Sequence, residues 1–225
     1  MPVSTSILWL LLFVVVVLAL MLAVFTHTNF TTRRIALIGL MAALSFVAYE
    51  FFRIPNVFGS GSSFHLGNTF TVLAALLLDG VSGGLAGAFG LALADIVAGD
   101  PGYAVTTFVL KFLIGIVCGA VANRVVHLHA MEQRHTGRGK YLAAVTVSAF
   151  SGLFVNVFAD PFLGYFRNRY LFGQTVELAS AMAGIASGVT LVNSLLSTVC
   201  AVALYLVLQP ALKRAHLLPG TRAAN

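Results

Sequence analysis

His65 and Asn68 open an apolar run in the stretch SSFHLGNTFTVLAALLL, residues 62–78. Asp95 stands near the end of a second run, and Lys111 near the middle of a third. Asn156 and Asp160 sit four apart toward the end of a fourth, and Asn193 lies within the last. Each of these side chains loses free energy on leaving water without a partner. The others, water or a ligand must therefore compensate for keeping them there. Two carboxylates, an amine, an imidazole and three carboxamides can hold a polar molecule by hydrogen bonds and charge, and Arg53, just past the run 35–52, extends the set.

The same residues offer no credible covalent chemistry. No G-x-x-x-x-G-K-[ST] is present to cradle nucleotide phosphates, and no H-E-x-x-H or paired-cysteine motif offers a metal site. GSGSS at 59–63 is not G-x-S-x-G, and it falls in a loop rather than on a strand-to-helix elbow. Cys118 and Cys200 lie inside apolar runs and read as small packing residues. No catalytic residue, cofactor or metal is expected, and the chain does not read as an enzyme.

The elements that must position these groups follow from composition. The chain is 59% hydrophobic and 9% charged, against about 25% charged in a soluble domain. So few charges cannot cover a globular surface in water. The fold class is all-α, a polytopic membrane helical bundle. A span needs roughly 20 apolar residues, and the runs place spans at 7–25, 35–52, 66–78, 81–97, 103–126 and 141–158. The last apolar region, 176–208, is too long for one untilted helix, and a loop-like or half-helical start over 177–183 is expected before a full span ending near Gln209. The run 7–25 lacks a basic n-region and an A-x-A-like site, so it reads as a retained helix.

Basic residues set the orientation. With seven spans, Arg33, Arg34, Arg124, Arg134, Arg138, Lys140, Lys213, Arg214 and Arg222 fall on one side, against Arg53, Arg167 and Arg169 on the other. Positive charge favours the cytoplasm. The expectation is a multi-pass protein of the cell membrane with a cytoplasmic C-terminus and its intramembrane polar groups gathered toward the outside. The segment HLHAMEQRHTGRGK reads as a solvated basic loop beside anionic lipid.

Helices in lipid associate by close packing, so small residues four apart mark contact faces. Gly83/Gly87, Gly115/Gly119 and Gly184/Gly188 are such pairs, for which packing inside the bundle is a sufficient account. Gly39 and Ala43 form another, which serves either the bundle or a helix of another subunit. The polar set also has structural readings. Asp95 pairs with Lys111, unless Lys111 closes the floor of a pocket; Glu50 and Arg53, three apart, pair on one helical face; His65 and Asn68 cap the third span; Asn193 makes an interhelical hydrogen bond.

With these residues laid out, the chain resembles a substrate-binding S component of the energy-coupling factor (ECF) vitamin transporters. The matching order is ALIGLMAALSFV, RIP, FHLGNTF, LLLDGVSGGLAGAFGLALADIVAG and TTFVLKFLIGIVCGAVA, with YLVLQPALKR closing the last helix more loosely. The resemblance implies a six-helix core that captures a vitamin or vitamin precursor at its outer face. It implies delivery through a transmembrane T component powered by two cytoplasmic ATPases, which accounts for the missing phosphate loop. The T-component contact would fall to Gly39 and Ala43, and the cover of the pocket to residues 53–65. The substrate-binding set would be Arg53, His65, Asn68, Asp95, Lys111, Asn156, Asp160 and Asn193. The expected organisation is an extra N-terminal helix within 1–30, the core at 31–215 and a tail at 216–225. FHLGNTF stands where riboflavin-binding members carry a KIDFSD-like segment, which points away from riboflavin without naming a replacement. The rival readings are a membrane scaffold, which needs no pocket, a small secondary transporter, for which no inverted repeat is visible, and an intramembrane enzyme, which needs Asp95 and Asp160 face to face.

Overall fold

The computed structural model describes residues 28–55, 62–133, 137–215 and 217–218, with the backbone alone for His129 and a few isolated positions before residue 28. Most of the expected helix at 7–26, most of the GSGSS segment and all but two residues of the tail lie outside the described residues. Seven α-helices follow in the described chain: α1 (Thr32–Phe51), α2 (Gly67–Leu77), α3 (Gly80–Val97), α4 (Ala104–Ala120), α5 (Leu128–Gln133), α6 (Arg138–Phe166) and α7 (Val176–Arg214). A two-residue hairpin pairs β1 (Ile54–Pro55) with β2 (Ser63–Phe64), antiparallel. The architecture is an all-α polytopic membrane bundle, and α1, α3, α4, α6 and α7, some with their flanking turns, are long and apolar enough to span.

The short helix α2 is the centre. Ten of its eleven residues are buried, as expected of a helix apolar on every side. Eleven residues rise about 16 Å, near half the ~30 Å hydrocarbon core. Helices α1, α3, α4, α6 and α7 pack around it, with Leu73, Val72, Ile114, Val145 and Leu153 fully buried between them.

Glycine sets the spacing of α3 against its neighbours. A Cβ on Gly115 of α4 would fall 2.0 Å from the backbone nitrogen of Gly84, and one on Gly83 would fall 2.4 Å from that of Ala75 on α2. These pairs serve packing inside the bundle. By contrast, a Cβ at Gly39, Gly184 or Gly188 meets nothing within 4 Å. Those three positions are exposed, as is Ala43.

Local capping fixes the helix starts. Thr31 Oγ1 accepts from the Arg34 N–H, Asp79 Oδ1 from Ser82 N–H at 3.0 Å, and Thr175 Oγ1 from Leu178 N–H at 3.2 Å, each serving an N–H that lacks an intrahelical partner. Asp79 also pairs with Arg34 at 2.7 Å, tying the start of α3 to the start of α1.

Three expectations change. The last apolar region is one continuous helix of 39 residues, about 58 Å long, with no loop at 177–183. Its cap lies at Thr175, just before the run, and nothing between Val176 and Gln209 breaks it. Helix α6 continues past Phe158 to Phe166 through Pro161 and ends in a π-helical turn, Arg167–Leu171, followed by Gly173 at φ +67°. The basic loop after the fifth span contains α5, whose Glu132 accepts from Gln209 at 2.6 Å and pairs with Lys213 at the end of α7.

Candidate functional site

One cavity lies at the end of the bundle where α1 and α3 finish and α4 and α7 begin. It measures about 590 Å³ with the part open to solvent counted. Seven of the eight expected binding residues line it: His65, Asn68, Asp95, Lys111, Asn156, Asp160 and Asn193. They come from β2 and its exit, α2, α3, α4, α6 and α7, so every helix of the bundle except α5 delivers a side chain, with Tyr49 supplied by α1.

Arg53 is not among the lining residues. Its Nη2 pairs with Asp100 Oδ2 at 2.9 Å, its Nε donates to Ser63 Oγ at 2.9 Å, and its guanidinium lies 5.3 Å from the centre of the Tyr49 ring. The expected helical pair with Glu50 does not form, because α1 ends at Phe51 and Arg53 has left the helix. It ties Ser63 of β2 to Asp100, just past the end of α3.

Asp95 does not pair with Lys111. Its two oxygens accept from the Tyr49 hydroxyl at 3.0 Å and from Thr107 Oγ1. The ion pairs within the described residues are Arg34–Asp79, Arg53–Asp100 and Lys213–Glu132, and Lys111 takes part in none. It is buried and faces the cavity, 7% exposed. Asp160 accepts from Thr190 on the neighbouring α7. Arg167 lies 3.8 Å from the centre of the Tyr103 ring and donates to Thr106 Oγ1 at 2.9 Å. The lining thus holds two carboxylates, Asp95 and Asp160, and two cations, Lys111 and Arg167.

The three asparagines divide by role. Asn193 Nδ2 donates to the Ser63 carbonyl at 2.9 Å, and Asn193 Oδ1 accepts from the His65 N–H at 3.1 Å. Both ends of this carboxamide hold backbone. Asn156, 1% exposed, has no hydrogen-bond partner on either amide atom among the described residues, and neither does Oδ1 of Asn68, 2% exposed. The expected cap on α2 does not form at Asn68, and the N-cap position itself, Leu66, makes no side-chain capping bond. His65 Nδ1 instead accepts from the Gly67 N–H at 3.2 Å, which leaves Nε2 as the nitrogen carrying the proton. Its ring packs against Tyr49, centroids 4.8 Å apart.

Tyr49, Ser62, Ser63, Tyr103, Thr107, Arg167 and Thr190 also line the cavity and were not among the expected residues. A readable signal existed for some. Tyr103, at the cap of α4, and Thr107 and Lys111 within it recur every four residues, one face of a helix, and Thr190 precedes Asn193 by three.

The model of the protein family described as "ECF-type riboflavin transporter, S component" matches residues 29–210. No curated protein and no solved structure matches the chain.

Proposed function

Because the chain belongs to the family of ECF-type riboflavin transporter S components, a transporter family rather than an enzyme family, we propose that it is the substrate-binding subunit of an ECF transporter. It captures a vitamin or vitamin precursor from outside the cell and hands it to a transmembrane T component driven by two cytoplasmic ATPases. The observation that carries this reading is the cavity itself. A bundle made only to pack or to oligomerise has no reason to turn Lys111, Asp95, Asp160, Asn68 and Asn156 onto one internal space, since buried polar groups destabilise a fold unless partnered.

The proposed binding set is His65, Asn68, Asp95, Lys111, Asn156 and Asp160. Arg53 and Asn193 hold the cover in place. The cavity faces outward and the C-terminus lies in the cytoplasm, in keeping with the bias of basic residues toward that side. The exposed small-residue face at Gly39 and Ala43 receives the T component. The core occupies 31–215.

Mass spectrometry of small molecules extracted from the purified protein tests the reading. A retained vitamin or precursor that also raises the thermal midpoint, as a ligand specific to the folded state must, is the expected result. A protein that retains nothing, and that no member of a panel of B vitamins and precursors stabilises, would overturn it.

A further inference from the structure

We propose that Arg34 and Asp79 are positioning residues for docking: they set where α1 stands on α3 and so present the face of Gly39 and Ala43 to the T component. The inference rests on the reading of the chain as a subunit that docks a T component through α1. It adds two residues that lie outside both the cavity and that face.

Helix α1 is fastened to α3 at three levels. Beside the cavity, Tyr49 gives its hydroxyl to Asp95 at 3.0 Å. Midway, the backbones come close: a Cβ on Gly90 would fall 2.3 Å from the carbonyl oxygen of Ala42, the residue before Ala43. At the end away from the cavity, Arg34 reaches the start of α3. Its Nη2 donates to Asp79 Oδ1 at 2.7 Å and its Nε to Ser82 Oγ at 3.0 Å. Ser82 gives its hydroxyl to Asp79 Oδ2 at 2.9 Å and its backbone N–H to Oδ1 at 3.0 Å. The guanidinium thus closes a ring of bonds on the cap of α3. A planar fork with two donors engaged fixes direction as well as distance.

Buried packing begins only beyond that end. The buried residues of α1 are Ile38, Met41, Ser45, Ala48 and Tyr49, none of them earlier than Ile38. Thr32, Arg33, Ile35 and Ala36 are exposed. The first six residues, about 9 Å of helix, therefore depend on Arg34 and the flank of Leu37 for their place. Gly39 follows almost at once, and Ala36, Gly39 and Ala43 are exposed at spacings of three and four, which share one helical face.

Docking through small residues requires backbones to meet closely, so it tolerates little error in where α1 stands. Without the Arg34 fork, α1 can swing about its crossing at Ala42 and Gly90. That carries Ala36 and Gly39 out of place, while Tyr49 and the cavity, beyond the crossing, keep theirs. The side chains of Arg34 and Asp79 are 23% and 30% exposed, and pairs so exposed add little to stability. What the contact supplies is direction.

The test titrates the purified full-length chain with the complex of T component and ATPases encoded by the same genome, with Gly39→Leu alongside to mark the docking face. Asp79→Asn keeps an oxygen for the Ser82 N–H and removes the charge, and Arg34→Met removes the fork. Each is expected to weaken capture by about fivefold to tenfold, the loss of a charge-assisted hydrogen bond. The double variant should lose no more than the poorer single one, because both break the same contact. The ligand-free thermal midpoint and the retained small molecule should stay as in the native chain. Capture at native strength by both single variants, with Gly39→Leu failing, would overturn the proposal and leave the binding-subunit reading standing. So would losses that add in the double variant, or an equal loss of retained ligand, since either marks a loosened fold rather than a misplaced face. A native chain that the complex does not capture, or a Gly39→Leu variant captured as well as the native chain, would remove the proposal together with the docking reading beneath it.

Discussion

Asn193 holds Ser63. The carboxamide nitrogen on α7 donates to the carbonyl of a residue 130 positions earlier at 2.9 Å, while the amide oxygen accepts from the next backbone N–H but one, that of His65. On the other side, Ser63 Oγ accepts from Arg53, which pairs with Asp100. Residues 62–65 are thereby slung across the cavity between α7 and the ends of α1 and α3.

The first prediction follows from that sling. Two hydrogen bonds of about 0.5–1.5 kcal/mol each hold β2 to α7, so Asn193→Leu should speed amide exchange over 62–66 by about fivefold to a hundredfold. The remainder of α7 should keep its protection. Hydrogen-exchange mass spectrometry reads this without any ligand. Unchanged exchange in 62–66 would show that Asn193 does not hold the cover.

The ion pair at the mouth should matter less than these hydrogen bonds. The side chains of Arg53 and Asp100 are 20% and 37% exposed, and solvent-exposed pairs contribute about 0–1 kcal/mol. A double-mutant cycle on thermal stability with Arg53→Met and Asp100→Asn should return a coupling of under about 1 kcal/mol. A value twice that would mean Arg53 is the principal latch and Asn193 the minor one.

Asn156 allows a test that separates function from folding. A buried carboxamide with no partner lowers the stability of the folded state, and replacing it with an apolar side chain of similar size is near neutral or stabilising. Asn156→Leu should therefore keep or raise the ligand-free thermal midpoint and abolish ligand retention. A drop of several degrees together with retained ligand would make Asn156 a structural residue.

How much of this was legible beforehand depended on the range of the interaction. Helices α1, α3 and α4 can be placed from runs of apolar residues because each is read locally. The continuity of α7 is less visible, since the region 176–208 is too long for one untilted span, until the cap at Thr175 shows where the helix starts. The polar set was recognisable because ionisable residues in lipid need a reason to be there, and seven of the eight expected members meet at one cavity. Their partners were not recognisable. Arg53 chooses Asp100, 47 residues away, over Glu50 nearby, and Asp95 takes Tyr49, 46 residues away. Such choices are made by helix packing, which spacing along the chain does not encode. Asn193 and Arg53 were expected to bind substrate from their place in the chain and the resemblance, and only the geometry shows that both also hydrogen-bond residues 63–65.

The glycines separate in the same manner. Gly115→Ala drives a Cβ to within 2.0 Å of the Gly84 backbone nitrogen, so α3 and α4 must part at a cost of about 1–3 kcal/mol or more. Gly188→Ala meets nothing within 4 Å and should gain about 0.5–1 kcal/mol from helix propensity. Thermal denaturation in detergent checks both. Equal effects would mean that the close approach of α3 to α4 is not what holds them together.

Gly39 and Ala43 face outward from α1, and a Cβ at Gly39 touches nothing in the bundle. Small residues on an exposed helical face let another helix approach closely, and bulk placed there should block that approach without disturbing the fold. Gly39→Leu and Ala43→Leu are expected to leave the thermal midpoint and ligand retention unchanged while preventing co-purification with a T component. Because neither residue touches the cavity, loss of ligand binding in either variant would show that the face acts on the fold rather than on a partner. Intact co-purification and uptake by both would move the T-component contact elsewhere on the bundle. The other exposed small-residue pair, Gly184 and Gly188 on α7, is the face to test next, with Gly188→Leu as its counterpart.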